Sequence, residues 1–185
     1  MANEVLRKVG DQLCFRDATD FSPTAANDLT QSPTNVQIDM TSLADAAARQ
    51  SDKVDLGARR APAYNVMAAF EIAATPTAGD LIELYWAPSP DATPANGNPG
   101  GVAGADAAYA GYSANLAASA KQLQLIGTFV CTAQATGTVQ IAQVGIFSPT
   151  ERYGTLIVKN ESNAAFHSDM VETHVVFDPI IDEVQ

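Results

Sequence analysis

A chain of 185 residues, 46% of them hydrophobic, is large enough to bury one core without disulfides or metals as staples. Its formal net charge of −11 argues against nucleic acid as a direct partner, because phosphate neutralisation needs clustered Lys and Arg, and against an anionic membrane surface. Much of the apolar share is Ala and Val, which predicts a thin, sheet-like core.

The charge is uneven. Residues 1–60 hold seven basic groups against nine acids, a balance of −2, and residues 61–185 hold three against twelve, a balance of −9. Such halves can dock on different surfaces, although acidity also serves plain solubility. The N-terminus MANEVLRKVG lacks the apolar stretch of a signal peptide, and no apolar run reaches the ~18 residues of a membrane helix. The sequence is therefore read as made in the cytoplasm and leaving it only by lysis. Neither Cys14 nor Cys131 has metal-ligand spacing. Cys131 lies in the apolar run 128–131 and reads as a small buried hydrophobe, and a bridge between the two is left open.

In chain order, residues 1–34 carry the apolar pieces Val5-Leu6 and Leu13-Cys14-Phe15, then a loop punctuated by Ser22-Pro23 and Ser32-Pro33. This segment is either a pair of edge strands or an extended N-terminal arm that orders on a neighbour. Val36, Ile38 and Met40 alternate with Gln37 and Asp39, the period of a half-buried strand. Residues 43–50 permit a turn of helix at most, and 53–56 read as extended. Tyr64, Val66, Ala68, Phe70 and Ile72 share a face, as do Ile82, Leu84 and Trp86, and the short link TPTAGD between them predicts a hairpin. Residues 88–120 are rich in Gly, Pro and Ala, a long insertion loop of the kind that is functional or mobile. A short helix within 106–120 would place Tyr109 and Tyr112 on one side. Strands follow over 121–134, 138–149, 155–162 and 171–177. Eight to ten strands with little helix predict an all-β fold: an antiparallel β-sandwich, jelly-roll-like, forming one domain over 35–185.

Residues that could carry chemistry are few. His167 and His174 are too few for a His-rich metal site, and Phe166-His167-Ser168-Asp169 gathers triad residue types as neighbours, whereas triads assemble in space. Asp52/Asp55 and Glu71/Glu83 are carboxylate pairs, the latter on adjacent predicted strands and expected on a solvent face. No Asp-x-Asp-x-Asp run offers a calcium loop, and GNPGGVAGAD lacks the Lys-Ser/Thr of a phosphate-binding loop. The chain is thus read as a non-enzyme with no cofactor, metal or catalytic residues. Aromatic residues beside Gly and Ser are the chemistry of adaptable contact surfaces, which makes Trp86, Tyr109 and Tyr112 interface candidates. Phe15 and Phe21 of the N-terminal segment join them.

The run ARQSDKVDLGARRAPAYNV, the stretch TPTAGDLIELYWAPS followed by GNPGGVAGADAAYAGY, and the ending SPTERYGTLIVKNESNAAFHSDMVETHVVFDPIIDEVQ resemble a family of small proteins encoded among tailed-bacteriophage virion genes. The resemblance covers residue 35 onward and carries no catalytic motif. It implies a structural role as a capsid decoration (cement) protein on the capsid surface of the virion, with the major capsid protein as partner. It also implies a homo-oligomer, a trimer favoured. Two alternatives are a carbohydrate- or receptor-binding head or fibre module, with Trp86, Tyr109 and Tyr112 stacking on sugars, and a tail or neck component. On the arm reading, deleting residues 2–34 is expected to abolish capsid binding yet leave a folded core.

Overall fold

The computed structural model describes residues 11–58 and 60–180. Within them, period-two alternation sends every second side chain to one face, and eleven strands form. They are β1 (Leu13–Arg16), β2 (Thr34–Gln37), β3 (Ala48–Gln50), β4 (Val54–Asp55), β5 (Ala63–Glu71), β6 (Leu81–Ser89), β7 (Ala107–Ala108), β8 (Gln124–Val130), β9 (Val139–Phe147), β10 (Tyr153–Glu161) and β11 (His174–Ile180). A single five-residue helix, α1 (Leu116–Ala120), precedes β8. The protein is an all-β sandwich of two sheets. One has the order β2-β1-β11-β5-β9, the other β7-β3-β10-β6-β8, with β4 also against β10. Every ladder is antiparallel except that between β1 and β2.

The pairings nest. β6 pairs with β8, β5 with β9, β3 with β10 and β1 with β11, so the first half of the chain runs out and the second half returns alongside it, rolled across both sheets. The expected hairpin of β5 with β6 is corrected by this order: the two strands lie in different sheets and their link crosses between them. The reason is that each has a wholly apolar inner face. Tyr64, Val66, Ala68 and Phe70 of β5 meet Ile82, Leu84 and Trp86 of β6 across the core, where stacking removes both faces from water.

That core is not thin. Phe15, Tyr64, Trp86, Phe147 and Phe177 pack with ring centroids 4.8–6.4 Å apart, and Phe70 touches Phe129 and Phe166 at 5.1 Å. Gly154 makes room for this cluster, since a Cβ there would lie 2.2 Å from the Trp86 ring.

Two long connections cover the outer faces of the sheets. Residues 17–33 lie over the first: Phe21 packs edge-on against His174 at 4.9 Å, beneath the Arg16 guanidinium at 4.4 Å, and the Ser22 N–H donates to the Val171 carbonyl. Of the segment 1–34, residues 1–10 lie outside the described residues; the rest is integrated. β1 is an inner strand, and Leu13, Cys14 and Phe15 are buried. Removing residues 2–34 would therefore take away core, which corrects the expectation of a separable arm.

The expected insertion loop is likewise not structureless. Pro88 and Ser89 finish β6, and the remainder folds over the second sheet. Val102, Tyr109, Leu116 and Leu123 seal Ala48, Ala87 and Ile157 beneath a second apolar cluster. Gln50 binds this cover through both ends of its amide, donating to the Ala105 carbonyl and accepting from the Ala103 N–H, each at 3.0 Å. Arg49 adds an ion pair to Asp106 at 2.6 Å.

Candidate interaction surface

β8 and β9 are each one edge of their sheet, the other edges being β7 and β2, and they meet along one side of the sandwich. Each carries a bulge: Ile126 is the extra residue opposite Leu84/Tyr85, and Val144 the extra residue opposite Val66/Met67. The bulges bend the edges together. A Cβ on Gly127 would lie 2.3 Å from the Val144 carbonyl oxygen, and one on Gly145 2.8 Å from that of Ile126. Glycine is what lets the two backbones touch at this seam.

Either side of the seam, large apolar side chains face solvent. Leu125 and Val130 of β8 are about half exposed (53% and 55%), while Ile141 and Ile146 of β9 are 39% and 64% exposed. Exposed sheet edges are normally guarded by charge, especially Lys. Here none is present: from Gln122 to Thr150 the sequence has no Asp, Glu, Lys or Arg, in a chain whose net charge is −11. Apolar edges without charged guards mark contact surfaces. That charge-free span and the glycines inside two strand patterns are the signals that could have found this surface from sequence.

The aromatic candidates fare differently. Phe15 and Trp86 are fully buried in the main core, and Tyr109 is buried under the loop cover, its hydroxyl donating to the Gly100 carbonyl at 2.7 Å. Core demand for large side chains thus removes these three from the candidate interface. Phe21 is half-buried against His174 and Arg16. Tyr112 alone of the five is exposed, at 55%. The shared side expected for Tyr109 and Tyr112 fails because Gly111, Ser113 and Ala114 all take positive φ and interrupt the helix. Only residues 116–120 remain helical, with the Asn115 side chain capping the Ala118 N–H at 3.1 Å.

The carboxylate pairs separate as well. Glu71 lies on the first sheet and Glu83 on the second, so they cannot act as an opposed pair. Glu83 accepts from Tyr85 Oη at 2.8 Å and from Lys159 Nζ at 3.0 Å, and burial together with that carboxylate pushes the Tyr85 phenol up to about 12. Asp55 is gripped by both arms of Arg152 at 2.6 and 2.7 Å, and Asp52 accepts the Asp106 N–H at 2.8 Å. Lys53 Nζ is surrounded by oxygens, donating to Ser89 Oγ and to the carbonyls of Asp91, Thr93 and Asn96 at 2.7–3.1 Å. These partnered charges hold loops rather than offering reactive groups.

Among the described residues, one cluster gathers potential metal ligands. Glu71, His167 and Asp169 present ligand atoms within 4.8 Å of one another. Cys14 and Cys131 are both free and buried, their thiols raised by burial to about 12 and about 11. Neither a scan against protein-family models nor a search of curated proteins returns a match.

Proposed function

We propose that the chain is a structural building block of a bacteriophage particle that decorates and stabilises the outer capsid surface as a homo-oligomer, a trimer favoured. The observation that carries the assembly half of this reading is the charge-free apolar edge of β8 and β9 on an otherwise acidic molecule. Acidic copies repel over most of their surface, so contact is favoured where charge is absent and apolar area can leave water. The strand orders β1-β11-β5-β9 and β3-β10-β6-β8 support a jelly roll, a double-sheet architecture frequent in viral capsid proteins. The phage setting, with the major capsid protein as partner, rests on the resemblance of residues 35–185 to virion proteins of tailed phages. Burial of Trp86 and Tyr109 takes away two of the three stacking surfaces on which a sugar-binding role would depend.

Two measurements test the reading. In light scattering coupled to size exclusion, the protein is expected to run as a trimer, and a Leu125→Lys/Ile146→Lys double variant as a folded monomer. In purified particles, quantitative mass spectrometry is expected to count hundreds of copies. A parent protein that stays monomeric at high micromolar concentration, or a count of only a handful per particle, would discard decoration in favour of a tail or neck position.

A further inference from the structure

We propose that Glu71, His167 and Asp169 form a binding site for one divalent transition-metal ion of the zinc class. Glu71 closes β5, and His167 and Asp169 sit on the loop 162–173 that lies against that strand end. A bridge between Ile72 and Phe166 anchors the loop, and the His167 N–H donates to the Glu71 carbonyl at 2.9 Å. The ligand positions are thus set by backbone, not by flexible surface side chains alone.

His167 Nδ1 lies 3.1 Å from Asp169 Oδ2 and 3.8 Å from Glu71 Oε1. Tetrahedral zinc with bonds of about 2.0–2.1 Å needs ligand atoms roughly 3.3 Å apart. The imidazole–Asp169 edge already has nearly that length, and the imidazole–Glu71 edge is about 0.5 Å longer, within reach of a carboxylate rotation.

Two observations mark this cluster. Nδ1 of His167 lies closest to both carboxylates, with the Asp169 backbone nitrogen 3.4 Å away. Three potential donor atoms therefore converge at one place. Moreover, Glu71 is only 9% exposed, and its carboxylate accepts no hydrogen bond among the described residues, which leaves His167 as its polar partner there. A cation held between the three groups would offset the mutual repulsion of the two carboxylates. An imidazole among the donors favours zinc-class ions over calcium or magnesium, which take oxygen ligands. Three protein donors leave a position for water, and the exposure of Asp169 opens the site to solvent. Once bound, the ion clamps loop 162–173 to the end of β5.

Calorimetric titration of the untagged full chain with zinc chloride is expected to show saturable uptake of one ion per chain. Glu71→Gln and His167→Gln should each weaken uptake at least tenfold while keeping the parent circular-dichroism spectrum. Cobalt substitution should give the visible bands of tetrahedral coordination, absent in His167→Gln. Because His167 is part-exposed, that variant carries the test should Glu71→Gln fold poorly. Absence of saturable uptake, uptake unchanged in His167→Gln, or tighter binding of calcium than of zinc would overturn the assignment.

Discussion

His174 is fully buried as a neutral ring whose tautomer its neighbours dictate: Nδ1–H donates to the Glu172 carbonyl at 2.8 Å, and Nε2 accepts the Leu29 N–H at 3.2 Å. Burial depresses its pKa below the ordinary 6.5. Between the depressed value and 6.5 only the unfolded chain takes up the proton, so stability is intact above that window and falls as pH drops through it. Asp28, held low by the Thr30 hydroxyl, and Asp55, held low by Arg152, add acid sensitivity only below 3.8. Thermal melts are therefore expected to weaken already as pH falls below 6.5, and His174→Gln should flatten that slope. An unchanged slope in the variant would assign the effect elsewhere. Gly154 poses a steric question instead. A methyl group there meets the Trp86 indole, itself locked among Phe147 and Phe177, so Gly154→Ala should cost about 1–3 kcal/mol in denaturant unfolding. A loss below roughly 0.5 kcal/mol would mean that the ring shifts without strain.

Among elements, β1 shows what short strands can hide. Its four residues pair with β11 on one side and β2 on the other, and they send Phe15 into contact with Phe177 at 4.8 Å. A chain lacking residues 2–34 is expected to lose near-ultraviolet circular dichroism and dispersed amide resonances, because truncating one buried Phe alone costs about 3–5 kcal/mol. Retention of both signals would restore the arm reading. β5, β6, β9 and β11 were legible because strands of seven to nine residues leave little ambiguity, whereas β1, β3, β4 and β7 are too short for periodicity to register. Their pairing is dictated by partners distant in the chain. The same limit hid the metal-ligand cluster: Glu71 and His167 share no local spacing and meet only because β5 ends beside loop 162–173. Conversely, Tyr109 reads as a surface aromatic because its neighbours are Ala and Gly, yet its burial is decided by what packs around it, whereas Trp86 follows the inner face that it shares with Ile82 and Leu84.

At the scale of the whole molecule, the two-sheet, all-β class follows from patterning, but the order of strands does not. Turn residues such as Pro76 and Gly79 say that the chain reverses, without saying whether it returns to the same sheet or crosses to the opposite one. The answer comes from the demand that every apolar face be covered, with loops 17–33 and 90–123 closing the outer faces and the β8–β9 edge left bare. The nesting of strands has a consequence for how this molecule comes into being. Of the eleven strands described, β1 leaves the ribosome first and its antiparallel partner β11 last, and each inner pair closes a shorter loop than the one outside it. Loop-closure entropy then favours zipping from the β6–β8 pair outward, and long-range pairings of this kind are intrinsically slow. The first sheet cannot be completed before β11 is made, so a chain cut short before β11 leaves β1 and Phe15 uncovered and open to aggregation or degradation.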